Sequence, residues 1–340
     1  MENGENKRLI YVDVLRVIAC FLVILTHSSM PMDSSSNIYL ALISFISTPA
    51  TQLFFALSGT VLLPVKMGMK AFYKKRFLKL LPPVFFWSIV TMLVYVLVGK
   101  ETSADALISI FRMPIYPVIG VYWFVYVMIG LYLLAPFVSP WLISANKKQV
   151  QLFLGLWSIT LLLPYLNAFY PGFYRVTGNY YFMLNAFGGY LGYWILGYYL
   201  RLYPIKKSLN KTWLIVLILF VLFLALVAYF KVTGANVEVF MGYLQIGNAL
   251  CVVVIYTIVQ NLVIKSKMTV KIISEIAKYS FGIYLIHIIV VREFVWRFFE
   301  ASTINPFIET LVIAVISFGL CYTILKILSK IPYSKFIVGC

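Results

Sequence analysis

Ten apolar stretches follow one another along the chain, separated by short polar segments. A helix needs ~20 predominantly apolar residues to cross the hydrocarbon core of a bilayer. The pattern therefore predicts an all-α, polytopic membrane protein with about ten transmembrane helices. The predicted spans are 10–29, 38–63, 83–99, 121–142, 150–167, 183–203, 212–230, 240–264, 274–297 and 306–328.

Composition supports this class and excludes the soluble ones. Hydrophobic residues make up 62% of the chain and charged residues 11%, whereas about a quarter of the residues in a soluble domain are charged. The four cysteines form no disulfide framework, and with two histidines in the sequence no metal site is expected. The N-terminal segment is interpreted as a retained signal anchor, and residues 1–340 as a single integral membrane domain without a fused soluble domain.

The net charge of +17 is distributed unevenly between the loops. If the N-terminus is cytoplasmic, the loops on the inner side carry most of the Lys and Arg residues, which is typical of membrane proteins and predicts cytoplasmic termini. The basic excess then faces anionic lipid, and no nucleic-acid partner is expected. The segment 64–82 alone holds Lys66, Lys70, Lys74, Lys75, Arg76 and Lys79, whereas the outer loops hold Lys100, Arg112, Arg175, Lys231, Arg292 and Arg297.

The first stretch, DVLRVIACFLVILTHSS, carries three ionisable residues. Charge inside the hydrocarbon is unfavourable, so such residues are rare and usually functional. Asp13 lies three positions before Arg16 and can pair with it on a helix. His27 follows Arg16 by eleven positions, which places both within ~20° of one helix face and ~16 Å apart along the axis.

Each of these residues also has a purely structural interpretation. The pair of Asp13 and Arg16 is also explained as an anchor at the helix end, with the arginine reaching toward the interface. His27 is also explained as an interfacial histidine held by a hydrogen bond. Asp33, in the first outer loop, is either a partner that orients His27 or a solvated acid.

Four motifs lie in order on separate predicted spans, and together they resemble the acyltransferase family 3 membrane proteins, which include bacterial polysaccharide O-acetyltransferases. The motifs are Arg16 and His27 with ten residues between them; Phe54, Phe55, Ser58 and Gly59; Trp123, Phe124, Tyr132, Leu133 and Pro136; and Ser280, Gly282, Ile283, Tyr284, Leu285 and His287.

The resemblance implies a cytoplasmic acyl-CoA donor, most simply acetyl-CoA, and an acceptor hydroxyl or amine on a glycan outside the cell membrane. His27 is then the expected general base, because imidazole titrates near neutral pH. Arg16 is expected to hold the donor's arm or carbonyl, with Asp13 as its partner in the catalytic group.

The basic segment around AFYKKRFLKLLPPVFFW is expected to bind the phosphates of CoA through Lys75, Arg76 and Lys79. The family's Arg-x-x-Arg motif appears here as Arg76-Phe-Leu-Lys79, and lysine binds phosphate without the planar fork of arginine. The alternative is an anchor on anionic lipid. The segment is predicted as an amphipathic entry to the third span that stops at Pro82–Pro83.

Five polar or aromatic residues are candidates for lining the acceptor site. Aromatic rings stack on sugars, but an interfacial aromatic belt explains a tryptophan equally well. The amides and the second histidine are also explained by hydrogen bonds between helices. These candidates are Trp123, Tyr284, His287, Gln245 and Asn248.

Two other functional classes are compatible with a polytopic chain that buries Asp, Arg and His. Such residues also mark substrate and proton paths in a transporter or exporter of a glycan or small polar solute. The chain lacks the internal repeat that many transporters contain. A membrane sensor or assembly factor that keeps the fold without turnover is the third class.

Overall fold

Helices dominate this computed structural model, and no β-strand occurs in the residues that it describes, which are 9–30, 38–169, 183–205, 211–232, 242–332 and 334–339. The helices are α1 (Ile10–Ser28), α2 (Ile38–Ser47), α3 (Ala50–Leu62), α4 (Met69–Leu97), α5 (Ser103–Arg112), α6 (Trp123–Ser144), α7 (Lys147–Phe169), α8 (Leu191–Leu202), α9 (Lys211–Val232), α10 (Ile246–Gln260), α11 (Lys267–Lys278), α12 (Ser280–Ile289), α13 (Pro306–Leu328) and α14 (Lys335–Val338). Short 3-10 helices cover Gly120–Tyr122, Asn185–Phe187 and Trp296–Phe298, and a π-helical segment covers Val290–Val295.

The described helices are those of a multi-pass membrane protein. Within the described residues, five helices are long and apolar enough to cross a bilayer. The number of spans is six if α11 and the segment Ser280–Phe298 form one broken span. The last predicted span, 306–328, coincides with α13. The five are Ile10–Ser28, Ile43–Leu62, Met69–Leu97, Gly120–Ser144 and Pro306–Leu328.

The predicted ninth span, 274–297, is divided in the structure. α11 ends at Lys278, α12 begins at Ser280, and the π-helical segment Val290–Val295 follows α12 without a break. A π-turn inserts an extra residue into a helix and is frequent at functional sites. As a result, α12 is a separate short helix, and it carries His287, one of the two histidines.

The prediction that the basic segment stops at Pro82–Pro83 is wrong, because α4 continues through both prolines from Met69 to Leu97. Each proline lacks an N–H group, so it cannot bond the carbonyl four residues earlier. Those carbonyls belong to Leu78 and Lys79, which are exposed. Groups outside the helix, such as water, can bond them, which is how membrane helices tolerate proline. The basic residues and the apolar span therefore share one helix.

The chain divides into two compact units, and the first contains residues 1–19, 48–63 and 141–277. Its main contact is the close crossing of α3 and α8. A β-carbon added at Gly59 would lie 1.8 Å from the Trp194 carbonyl oxygen, and one at Gly197 would lie 1.8 Å from the Ala56 carbonyl oxygen. Small residues at a helix interface let two backbones approach in this way. The two glycines therefore set the distance between α3 and α8.

Arg201 completes this crossing at the end of α3. Its Nη1 donates to the carbonyl of Thr60 at 2.6 Å, and its Nη2 donates to the carbonyl of Leu63 at 2.7 Å. The last carbonyls of a helix have no partner within the helix, and a cation there also complements the helix dipole. The guanidinium group of Arg201 therefore serves the packing of two helices.

The second unit contains residues 20–47, 64–140 and 278–340. α12 packs against α4 and α13. The rings of Phe21 on α1 and Phe318 on α13 lie 5.8 Å apart. The Trp87 indole donates to the carbonyl of Ile337 at 2.8 Å. These contacts hold the second half of α1 and the buried helix α12 within one packed body.

Candidate active site

The two histidines of the chain meet in the second unit. His27 lies one residue before the end of α1, His287 lies on α12, and their ring centroids are 5.3 Å apart with an angle of 39° between the ring planes. His287 is fully buried, whereas His27 is partly exposed. One imidazole is therefore accessible and rests against a second that is not.

A hydrogen bond to the backbone defines the tautomer of His287. Its Nδ1 lies 2.5 Å from the carbonyl oxygen of Tyr284. Because a carbonyl can only accept, Nδ1 carries the hydrogen, and in the neutral ring Nε2 carries the lone pair. Nε2 is buried and has no hydrogen-bond partner among the described residues. The buried imidazole therefore presents an unused acceptor.

An aromatic wall fixes the backbone of α12 on which this arrangement depends. The hydroxyl of Tyr284 donates to the carbonyl of Val121, and the hydroxyl of Tyr122 donates to the carbonyl of Leu285 at 2.7 Å. The ring of Phe124 lies 5.4 Å from that of Tyr284. Buried tyrosines generally use their hydroxyl groups in this way. The 3-10 turn before α6 and the first turn of α6 therefore both hold His287 in position.

The predicted residues Trp123 and Tyr284 are both part of this region. Trp123 is the first residue of α6, is partly exposed, and lies beside Phe124 with 6.4 Å between ring centroids. Tyr284 is buried, and its ring centroid is 5.7 Å from that of His287. Tyr284 and His287 therefore share one side of α12, as their spacing predicts.

Sequence reasoning missed an ion pair on the π-helical segment that follows the His287 helix, in which the acid is buried and the lysine is half exposed. Nζ of Lys100 lies 2.6 Å from Oε1 of Glu293, a buried residue in the π-helical segment after α12. Arg292 is exposed and lies 5.6 Å from the ring of Trp296, whose indole donates to the carbonyl of Ser28 at 3.2 Å. The signal in the sequence was an acid within the apolar run IIVVREFV. The pair fixes the π-helical segment to the loop after α4.

The three predicted CoA-binding cations on α4 differ in their surroundings. Lys75 and Lys79 are exposed, but Arg76 is only partly exposed and its guanidinium carbon lies 5.7 Å from the ring of buried Phe72. Nε of Arg76 is buried without a hydrogen-bond partner among the described residues. An unused buried donor on a cation is suited to an anionic group. Arg76 is thus the cation of this segment that is directed into the protein.

The predicted ion pair on the first half of α1 is present in the first unit. Nη1 of Arg16 lies 3.5 Å from Oδ1 of Asp13, and the Ser274 hydroxyl donates to Oδ2 of Asp13 at 2.8 Å. Asp13 is buried and Arg16 is about one-third exposed. The pair therefore links α1 to α11, and its catalytic role remains a prediction. Asp33 lies outside the described residues.

Gln245 and Asn248 lie at the start of α10, also in the first unit, and both are buried. The Gln245 side-chain oxygen accepts from the backbone N–H of Gly242 at 2.8 Å, and the Asn248 amide donates to the carbonyl of Gly242 at 2.6 Å. The two amides therefore hold the turn that precedes α10. Their role in acceptor binding remains a prediction.

Comparison with known proteins adds the family. The model of the acyltransferase family 3 domain, described as "Acyltransferase domain", matches residues 9–326 and so covers nearly the whole chain. The match includes the histidine pair, the basic part of α4 and the ion pair on α1. No curated protein and no solved structure matches the chain.

Proposed function

This chain belongs to acyltransferase family 3, and on that premise we propose that it is a membrane-bound O-acyltransferase of a bacterial cell membrane. The donor is acetyl-CoA or another short acyl-CoA in the cytoplasm. The acceptor is a hydroxyl group on a cell-surface glycan, or on its lipid-linked precursor, outside the membrane. The proposal includes about ten spans, as the apolar stretches predict, and cytoplasmic termini, as the distribution of basic residues predicts.

The partly exposed imidazole of His27, near the end of α1 and against a buried second imidazole, is the observation that carries the proposal. A general base must be accessible to the proton that it removes and must be oriented by a partner. The same histidine matches the family position that is separated from the first-span arginine by ten residues. We therefore assign the base to His27.

The proposed reaction moves the acyl group in one balanced exchange. His27 takes the proton of the acceptor hydroxyl while the hydroxyl oxygen bonds to the thioester carbonyl carbon. The bond from that carbon to sulfur breaks, and the proton on His27 passes to the CoA thiolate. The products are the O-acyl glycan and free CoA. A general base typically contributes about 10²–10⁴-fold to such a rate.

The donor's phosphates are proposed to bind at the basic part of α4. Arg76 supports this because its buried Nε has no partner among the described residues, and Lys75 and Lys79 add exposed charge on the same helix. Arg16, paired with Asp13, is proposed to hold the donor's arm or carbonyl.

The acceptor's sugar is proposed to contact aromatic and polar side chains. Trp123 is partly exposed beside the aromatic wall and can stack on a sugar ring. Tyr284 and His287 are buried, and we propose that they shape that side of the acceptor site by packing behind it. Gln245 and Asn248 remain candidates for acceptor binding. Membrane lipid and the glycan are the proposed partners.

Acyl transfer is tested in membrane vesicles that contain the chain and receive acetyl-CoA with a radiolabelled acetyl group on the cytoplasmic face. We expect base-labile label in the envelope glycan with the wild-type chain and none with His27→Ala. If the wild-type vesicles leave the glycan unlabelled but move it across the membrane, the chain is a transporter and the proposal is wrong.

Sidedness is tested by cysteine labelling in a background without the native cysteines. Lys70→Cys on α4 is expected to react from the cytoplasm and Ser36→Cys, which lies outside the described residues, from the other side. CoA is expected to slow labelling of Thr26→Cys, next to the proposed base. Labelling of positions 70 and 36 from the same side would contradict transfer across the membrane.

A further inference from the structure

We propose that His287 is the positioning residue for His27. In this inference, which rests on the proposed function, Nε2 of His287 accepts the ring N–H of His27, directly or through one water molecule. That hydrogen bond holds the other ring nitrogen of His27 as the lone pair that meets the acceptor hydroxyl.

The first step is the fixed chemistry of His287. Its Nδ1–H donates to the carbonyl of Tyr284 on the same helix, so this nitrogen has no capacity left for a second partner. A charged ring at this fully buried position would be without a counter-charge in direct contact, which is strongly unfavourable. His287 therefore acts as a neutral acceptor through Nε2.

The second step is that this acceptor lacks a partner in the described part of the chain. Buried polar groups are nearly always hydrogen-bonded, so an exception calls for a ligand, a water molecule or a movement that supplies the partner. The unpaired atom therefore indicates a hydrogen bond that forms when the site is in use.

The third step identifies the donor. The His27 ring centroid lies 5.3 Å from that of His287, and His27 makes no hydrogen bond within the described residues. Among the neighbouring charged groups, Lys100 pairs with Glu293. The exposed Arg292 lies over the ring of Trp296 and is the rival donor that the test below separates from His27. A small rotation of the partly exposed ring, or one water molecule, brings an N–H of His27 to Nε2 of His287.

The consequence for catalysis is control of the tautomer. A neutral imidazole has one N–H and one lone pair, and a base that presents its N–H to the acceptor hydroxyl cannot remove a proton. A fixed acceptor on one side selects the productive form, as an orienting group does for other histidine bases. The same bond becomes charge-assisted, and stronger, when His27 takes up the proton.

The kinetic test compares two substitutions that differ in one hydrogen-bond acceptor. His287→Leu removes the acceptor with an apolar side chain, and His287→Gln retains an acceptor oxygen on a side chain of similar reach. We expect kcat to fall on the order of 10- to 100-fold in His287→Leu, the size typical for partners that orient a metal-binding histidine. KM for acetyl-CoA should be unchanged, and His287→Gln should recover part of kcat. Equal kcat in wild type and His287→Leu would overturn the proposal.

The spectroscopic test does not depend on turnover. The sequence contains two histidines, so isotope-labelled histidine yields nitrogen NMR signals from two imidazoles. We expect one tautomer for His27 in the wild type and a mixture in His287→Leu. His27→Ala should shift the Nε2 signal of His287 even if the leucine variant does not fold, whereas Arg292→Gln should leave that signal in place.

An Nε2 signal of His287 that is unaffected by His27→Ala would contradict the pairing, and a shift with Arg292→Gln instead would assign the donor to arginine and overturn it. Failure of the wild-type chain to transfer acetyl groups would remove the proposed function but not the NMR result. The two proposals can therefore fail separately.

Discussion

Arg201 at the α3–α8 crossing and His287 in the histidine pair are both polar side chains among apolar helices, yet their hydrogen bonding differs. At the crossing, both terminal nitrogens of Arg201 bond to carbonyls at the end of α3. At the histidine pair, one ring nitrogen of His287 is bonded and the other is buried without a partner among the described residues. The first arrangement completes the backbone of a helix, and the second leaves an acceptor available.

This difference separates stability from chemistry in a membrane protein. Between helices in lipid, association depends on close packing and on satisfied polar groups, so a saturated pair such as Arg201 with Thr60 stabilises the crossing. A buried polar atom without a partner calls for a ligand, a water molecule or a movement that supplies one. Within the described part of the chain, Ser58 on α3 and Trp194 on α8 also carry such atoms, so the contrast is between Arg201 and His287. The predictions that follow distinguish the two regions by whether a substitution lowers the rate of acyl transfer or the stability of the fold.

The largest effect is expected from His27→Ala. Turnover should fall by about 10²–10⁴-fold because a general base is lost. The melting temperature should stay near that of the wild type, since His27 makes no hydrogen bond within the described residues. An acetyl-transfer assay of the purified variant checks the predicted loss of turnover, and its thermal unfolding checks the unchanged melting temperature. Wild-type turnover would end the assignment of the base.

The opposite pattern is expected from Gly59→Ala, which breaks the crossing. The added β-carbon would lie 1.8 Å from the Trp194 carbonyl oxygen, and such overpacking destabilises by about 1–3 kcal/mol or more. The yield of folded protein and its melting temperature should fall, while KM for acetyl-CoA in the folded fraction stays constant. Gly155→Ala on α7 is the matched control, because its β-carbon would meet no atom within 4 Å. Equal loss in both variants would contradict the role of the close approach.

A smaller effect is expected at the basic part of α4, where Arg76 also has an unused buried donor. Removal of Arg76 and Lys79 together by alanine should weaken CoA binding about 10-fold or more, given about 1.5–3 kcal/mol for a hydrogen bond to a charged group. Acceptor binding should change less. CoA affinity at two salt concentrations checks this prediction.

The control for that variant is Lys74→Ala, which removes one exposed cation from the same helix. It should reduce CoA affinity little and mainly at low salt, because exposed charges are screened. If the double variant binds CoA as the wild type does, the segment is a lipid anchor only.

The smallest effect is expected from Arg201→Lys. The charge at the end of α3 is retained, but one of the two bonds to Thr60 and Leu63 is lost because lysine has no planar fork. We expect a loss of about 0.5–1.5 kcal/mol in the free energy of unfolding and no change in kcat. A change in kcat without loss of stability would place Arg201 in the chemistry instead.

Several features that depend on neighbouring residues were predicted from the sequence, although the stop at Pro82–Pro83 was not among them. The apolar run 306–328 became α13, and the pair of Asp13 and Arg16 formed as their spacing indicates. Hydropathy and a spacing of three or four residues act within one helix, so they need no knowledge of the rest of the fold.

Features that depend on how helices meet were decided by tertiary packing. His27 and His287 are 260 residues apart in the chain, and their rings meet because of the rotation and crossing of α1 and α12. The pair of Lys100 and Glu293 likewise joins a loop to a π-turn. Since lipid is as apolar as a leucine side chain, hydrophobicity alone does not select which faces of two membrane helices pack together. Close backbone approach and specific hydrogen bonds make that selection, and both exist only once the helices are assembled.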